Sequence, residues 1–220
     1  MSRLGSAAQR DLLELAPPRK VPPGTVLIRQ GEVRNHVFVL RSKGNTASAC
    51  VKITALARNG TETLLGIRVS GDIVGELAAL RGAQRSATVT TCSETIVHHI
   101  PNQFFLDFLN EHSEAWEAMC RMIADRLDWA NRRRLDFAGY DVTQRLARVL
   151  LELTDRYGSA GPAAREIGVR LSQAEMGMLI GAKEDAIGLA MRQLRRNGMV
   201  STSYRKVTIM DIDELRHFAD

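Results

Sequence analysis

The spacing of apolar residues changes at Pro101, and that change limits what the chain can fold into. Before it, from Lys20 onward, apolar and β-branched residues come in short runs: Thr25-Val26-Leu27-Ile28, His36-Val37-Phe38-Val39-Leu40, Cys50-Val51-Lys52-Ile53 and Thr95-Ile96-Val97-His98-His99-Ile100. Gly24, Gly31, Gly44, Gly60 and Gly71 punctuate them, and Ser42–Ser48 has the small, polar composition of a loop. Many short strands at close spacing predict a β-barrel or jelly roll. After Pro101, Trp116, Met119, Ile123, Leu127 and Ala130 recur at steps of three and four, running toward Phe137 with no Gly or Pro before Gly139. This predicts one helix of about 25 residues with a single apolar stripe. That is longer than a lid on a barrel needs, so the stripe is read as a seam with a second copy of the chain. The plainer reading is that it covers the barrel.

Beyond Gly139, Asp141-Val142-Thr143 opens a helix over 144–156 with Leu146, Val149, Leu150 and Leu153 on one face, stopped by Tyr157-Gly158-Ser159-Ala160-Gly161-Pro162. Ser172-Gln173-Ala174-Glu175 has the form of a capping box, and Met176, Leu179 and Ile180 supply an inner face behind it. Gly181-Ala182 makes a tight turn, and a further helix runs from about Lys183 to Arg196, ended by Asn197-Gly198. Its inward residues are Ile187, Ala190, Met191 and Leu194. Two short helices about a glycine turn predict a helix-turn-helix, with Tyr204–Ile209 as a β wing. On pattern alone, an αα-hairpin in a small core fits equally.

Charge permits a nucleic-acid partner without requiring one. The net charge is +5, but residues 1–140 hold 18 of the 30 Lys and Arg and 14 of the 25 Asp and Glu, leaving 12 and 11 for residues 141–220. The basic excess therefore does not sit on the helix-turn-helix. Arg132-Arg133-Arg134 reads as a solvated helix face before it reads as a nucleic-acid patch. Cys50, Cys92 and Cys120 are widely spaced and odd in number, and His98-His99 has no carboxylate or cysteine at ligand spacing. No metal site is expected. No apolar run has membrane-spanning length, so a cytoplasmic protein without a membrane partner is the expectation.

The run Gly75-Glu76-Leu77-Ala78-Ala79-Leu80, followed by Arg85-Ser86-Ala87-Thr88, carries the chemistry needed to hold a cyclised ribose phosphate. A cyclic phosphodiester has one negative charge and two free oxygens. Arg85 can meet them with a planar fork of donors, Ser86 can add a hydroxyl, and backbone N–H groups opening a short helix at Glu76 favour an anion. Glu76 would repel phosphate, so a sugar hydroxyl suits it. The bland alternative is a turn, a helix and a strand, with Glu76 paired to Arg85 in a plain salt bridge.

These residues resemble the cyclic-AMP receptor (Crp/Fnr) family of bacterial regulators. The resemblance runs from Pro23-Gly24 to the wing: Gly75–Ala78 and Arg85–Val89 are similar to its phosphate-binding cassette, Asp141–Ala147 to its hinge and following helix, and Leu171–Met176 to the opening of its helix-turn-helix. It implies an α+β chain: a cyclic-nucleotide-binding jelly roll over 1–110, a dimerisation helix and hinge over 111–139, and a winged helix-turn-helix over 140–220. It implies that Gly75, Glu76, Leu77, Ala78, Arg85 and Ser86 line the ribose phosphate. In cyclic-AMP-responsive members two polar residues of the long helix contact the adenine, the second from the partner subunit; they align with Ala130, which lacks the hydroxyl, and Asn131, which keeps a polar group. It implies DNA contacts from Ser172, Gln173, Lys183, Glu184, Asp185, Gly188, Leu189 and Arg192. Here the chain departs. Where members usually carry Arg, Glu and Arg, this chain has Glu184, Asp185 and Leu189; Glu184 cannot donate to guanine, and Leu189 can touch only a thymine methyl. Arg192, Arg195 and Arg196 suit backbone contacts.

The resemblance thus implies a homodimeric transcription regulator that binds double-stranded DNA and responds to cyclic AMP as an allosteric ligand, ahead of cyclic GMP, with RNA polymerase as a further partner. The altered helix implies weak or non-standard operator specificity. Two other readings stand beside it: a nucleotide sensor whose helix-turn-helix binds a protein, and a regulator that needs no ligand. No nucleophile–base pair stands out, and Ser86 has no histidine at a supporting spacing, so catalysis is not expected.

Overall fold

The structure, a computed structural model, describes residues 4–42, 49–158 and 164–220. The residues expected to form the small polar loop fall almost entirely outside these, as do 159–163 after the hinge helix. The chain divides into two compact units, Met1–Trp129 and Ala130–Asp220, and the division falls inside one helix.

In the first unit, two antiparallel four-stranded sheets form the expected jelly roll. One has the order β1 (Pro18–Val21), β8 (Thr95–Pro101), β3 (His36–Arg41), β6 (Ile73–Val74); the other has β2 (Val26–Ile28), β7 (Thr88–Thr91), β4 (Cys50–Leu56), β5 (Glu62–Val69). Strand β3 explains why its run is continuously apolar. Phe38 and Leu40 point between the sheets, into a core with Val51, Val74, Val89 and Val97. Val37 and Val39 point the other way, into a second core built by α1 (Ser6–Glu14), α3 (Asn102–Glu111) and the start of α4 (Ser113–Gly139). A strand with both faces covered loses its polar alternation. His98, in the same sheet, is buried, and its Nδ1 donates to the carbonyls of Ala16 at 2.8 Å and Leu13 at 3.0 Å.

Helix α4 is continuous over 27 residues, as the stripe predicts, but the stripe divides. Ala115 and Met119 are buried and Met122 and Ile123 half-buried against the jelly-roll helices, so this part covers the barrel. Leu127 is 60% exposed. The triple arginine divides as well. Arg133 turns inward to Glu152 and lies 3.5 Å from Asp136, while Arg132 and Arg134 are exposed. Burial lowers the pKa of Arg133 and the two carboxylates oppose that shift. The central arginine therefore belongs neither to a solvated face nor to a nucleic-acid patch.

In the second unit, α5 (Val142–Tyr157) buries Leu146, Val149, Leu150 and Leu153. Its start is fixed by a capping box in which Gln144 N donates to Asp141 Oδ1 at 2.9 Å. The helices α6 (Gln173–Ile180) and α7 (Glu184–Arg196) follow, with Gly181 between them at φ 68°, a left-handed position that closes α6. A three-stranded sheet of order β10 (Val200–Ser203), β11 (Lys206–Ile209), β9 (Arg165–Glu166) forms the wing, and α8 (Ile212–Ala219) ends the chain. The wing strand starts later than expected: Ser203 pairs with Lys206, so Tyr204 and Arg205 are the two-residue turn. Arg205 takes φ 55°, the one positive φ among the described non-glycine residues.

Candidate functional site

The cassette folds into one pocket of about 200 Å³ within the first unit. Gly75, Glu76, Leu77, Ala78, Arg85 and Ser86 all line it, with Ile28, Ile53, Leu65, Val74 and Val89 as its apolar wall. Gly75 precedes α2 (Glu76–Arg81) at φ 88°, and a Cβ there would stand 2.8 Å from Arg85 Nη1 and 2.9 Å from Ile28 Cδ1. Two constraints, conformation and space, select glycine. The close approach that demands it comes from Arg85 and β2.

Arg85 is 3% exposed. Its Nη1 donates to the Gly75 carbonyl at 2.7 Å and its Nη2 to the His36 carbonyl, while Nε is buried with no partner among the described residues. Burial lowers its pKa from the ordinary arginine value; Glu32 and Glu76 oppose the shift. A buried guanidinium with an unsatisfied N–H fits an anion arriving at this pocket. Ser86 is exposed at the pocket wall.

Glu76 has a different partner from the one weighed in the sequence. It is buried and ion-paired to Arg126 Nη1 from α4, and Arg126 Nη2 also donates to the Ile73 carbonyl at 2.9 Å and lies 3.7 Å from Asp72. Arg126 completes the pocket lining. Its signal was in the sequence: with Met119 and Met122 it continues the face of α4 that meets the barrel, at helical spacing. A basic residue on a buried face needs a partner. Ala130 and Asn131 are both exposed on α4, beyond the division between the units.

The rings of His36, Phe38 and His99 cluster edge-to-face or tilted, with His36 and His99 centroids 4.3 Å apart. Burial, then the nearby charges of His99, Arg85 and Arg34, push the His36 pKa down to about 4. His99 is lowered too, first by burial and then by Arg19, Arg34 and Arg85.

The second unit holds a groove of about 570 Å³ between the start of α6, the face of α7 and the wing. Of the eight residues expected at DNA, Ser172, Gln173, Gly188 and Arg192 line it; Lys183, Glu184, Asp185 and Leu189 do not. Ser172 is the N-cap of α6, accepting from Glu175 N at 3.2 Å while its own N–H donates to Glu175 Oε2 at 2.7 Å. Arg195, Tyr204, Arg205 and Lys206 complete the groove, and three of these were not expected at DNA because they belong to the wing. Glu184 and Asp185 are exposed in the first turn of α7, where Lys183 gives no side-chain cap, and Arg195 and Arg196 occupy the last turn. That order suits the helix macrodipole, worth about 0.3–1 kcal/mol per charge. Residues that spoil guanine reading thus stabilise the helix that carries them.

A ligand-sized pocket in a jelly roll, followed by a winged helix-turn-helix, defines a sensor-and-output regulator. The comparisons with known proteins agree: residues 18–112 match the cyclic nucleotide-binding domain and residues 144–218 the Crp-like helix-turn-helix domain, together more than half of the chain. The chain belongs to the Crp/Fnr family of transcription regulators. It is 27% identical over 198 residues to a CRP-like cAMP-activated global transcriptional regulator of Mycobacterium tuberculosis, covering 90% of this chain and 86% of that one. It is 28% identical over 155 residues to the cAMP-activated global transcriptional regulator Vfr of Pseudomonas aeruginosa, covering 69% and 72%. A solved CooA mutant from Carboxydothermus hydrogenoformans shares the fold with a TM-score of 0.75 at 18% identity, covering 95% of this chain and 90% of that one. No helix among the described residues is long and apolar enough to cross a membrane.

Proposed function

We propose that this chain is a homodimeric, DNA-binding transcription regulator switched by a cyclic purine nucleotide held in the Gly75–Ser86 pocket. The observation that carries the reading is the convergence of all six cassette residues on one cavity with a buried, incompletely satisfied Arg85. Cyclic AMP is the first ligand to test, because it is named in the descriptions of two relatives. Arg126 connects the pocket to α4: an incoming ribose or phosphate competes for Glu76 and Arg126, and so acts on the helix that leads to the output unit. The exposed Leu127 supplies apolar surface for pairing with a second copy. Ligand binding is tested by titration calorimetry with cyclic AMP and cyclic GMP. Heat from neither removes the ligand claim and leaves a ligand-independent regulator.

DNA binding through the groove rests on Arg192, Arg195, Arg205 and Lys206 lining it together. A second reading has the helix-turn-helix docking a protein, supported by the exposed Glu184, Asp185 and the 62% exposed Leu189 outside the groove. Selection of DNA sites from a random pool, with and without nucleotide, separates the two. An enriched palindrome rejects protein docking; no enrichment at low salt rejects DNA binding.

A further inference from the structure

The apolar floor of the pocket runs straight across three strands. Val89 on β7 pairs with Ile53 on β4, and Ile53 pairs with Gly66 on β5. Cross-strand partners share a face, so the third place in the row is bare of side chain. Arg68 takes that place. It lies two residues along β5, on the same face; Nη1 donates to the Ile67 carbonyl at 2.7 Å, and a Cβ on Gly66 would stand 2.9 Å from Nη1. The guanidinium therefore folds back over Gly66 and lines the pocket.

Its position along the ligand follows from the sheet. Arg85 and Ser86 lead directly into β7, while β5 is two strands away, about 9–10 Å at the usual strand spacing. That separation is comparable to the distance from the phosphorus of a cyclic nucleotide to the far edge of its purine. With the phosphate at Arg85, Arg68 stands at the base end. A guanidinium offers donors only, in a fork that matches the O6 and N7 acceptors of guanine; adenine puts an amino donor where O6 would be.

We propose that Arg68 is a specificity residue that selects a 6-oxopurine base, so that the pocket prefers cyclic GMP to cyclic AMP. The inference rests on the ligand reading above and reverses the order the relatives' names suggest. The test is calorimetric titration of the full-length protein and its Arg68→Leu variant with cyclic AMP, cyclic GMP and cyclic IMP. Cyclic IMP keeps O6 and N7 without the guanine amino group. The expected result is at least tenfold tighter binding of cyclic GMP and cyclic IMP than of cyclic AMP, with the difference falling below threefold in Arg68→Leu. Gly66→Ala, which crowds the guanidinium out of its place while keeping its charge, gives the same loss and covers the case in which Arg68→Leu does not fold. Equal affinities, a cyclic AMP preference, cyclic IMP behaving like cyclic AMP, or a preference that survives both variants overturns the proposal while leaving the ligand reading intact. Heat from no nucleotide overturns both.

Discussion

In the cassette pocket Glu76 and Arg85 are buried and committed to named partners, whereas in the groove beside the wing the charged side chains stand mostly in solvent. Glu76 and Arg85 are each 3% exposed, one paired to Arg126 and the other holding two carbonyls. Arg192, Arg195 and Arg205 are exposed along their groove. A buried, hydrogen-bonded charge cannot relocate without a large penalty, so it fixes the shape that one ligand must meet. An exposed cation gives attraction that salt screens and that is indifferent to base sequence. On the proposed function, the pocket is therefore suited to selectivity and the groove to affinity, and Glu184, Asp185 and Leu189 of α7 lie outside the groove.

Arg85→Ala should break this comparison most severely. It removes the proposed phosphate partner and orphans the Gly75 and His36 carbonyls. Each lost charge-assisted bond costs about 1.5–3 kcal/mol. Nucleotide affinity should fall by at least a hundredfold, and denaturant melting should show a loss of about 3–6 kcal/mol. A variant that still binds nucleotide normally would show that Arg85 only supports the fold. Gly75→Ala should come next, at about 1–3 kcal/mol, from its left-handed backbone and the short contact with Arg85. It should also weaken the ligand, because the two residues are packed together.

The groove should respond more gently and uniformly. Arg192→Ala and Arg205→Ala should each weaken unrelated DNA sequences alike and reduce the slope of log affinity against log salt by about 0.9. A loss confined to one sequence would give these residues a base-reading role. Glu184→Gln should raise DNA affinity modestly by removing a charge that repels phosphate.

The effect of His36 is absent at neutral pH and emerges only in acid. Its pKa of about 4 in the folded protein lies below the ordinary 6.5, so the unfolded chain takes the proton first. His36 should cost no stability above pH 6.5, and stability should fall as pH drops from 6.5 toward 4, levelling below that. His36→Phe should flatten this part of the pH profile in thermal melts, and an unchanged profile would place the titration elsewhere.

Much of the chain was legible because local signals and global needs agreed. The Ser172 capping box, the inner faces of α5, α6 and α7, and four of the strands follow directly from residue spacing. The cassette residues were legible as a set, since they are consecutive or nearly so. Arg68 was not, because it reaches the pocket from an element whose own pattern says only strand; Arg126 had a signal in the helical spacing of α4, but its partner Glu76 lies 50 positions away. The wing turn was misplaced because Tyr204 and Arg205 have no turn composition; the two-residue hairpin imposes their conformation.

Sequence by itself determined the order of parts: jelly roll, long helix, helix-turn-helix and wing, with the Gly75–Ser86 cassette in the first. It could do so because periodicity, capping and glycine placement act over a few residues. Only the tertiary structure decided what the charges do. It gave Glu76 to Arg126, buried Arg85 beneath Gly75, laid Arg68 over Gly66, turned Arg133 inward, and set Glu184 and Asp185 outside the groove. Glu76 and Arg126 are 50 positions apart and Arg133 and Glu152 are 19 apart, and burial, which only the folded chain defines, sets the strength of such pairings.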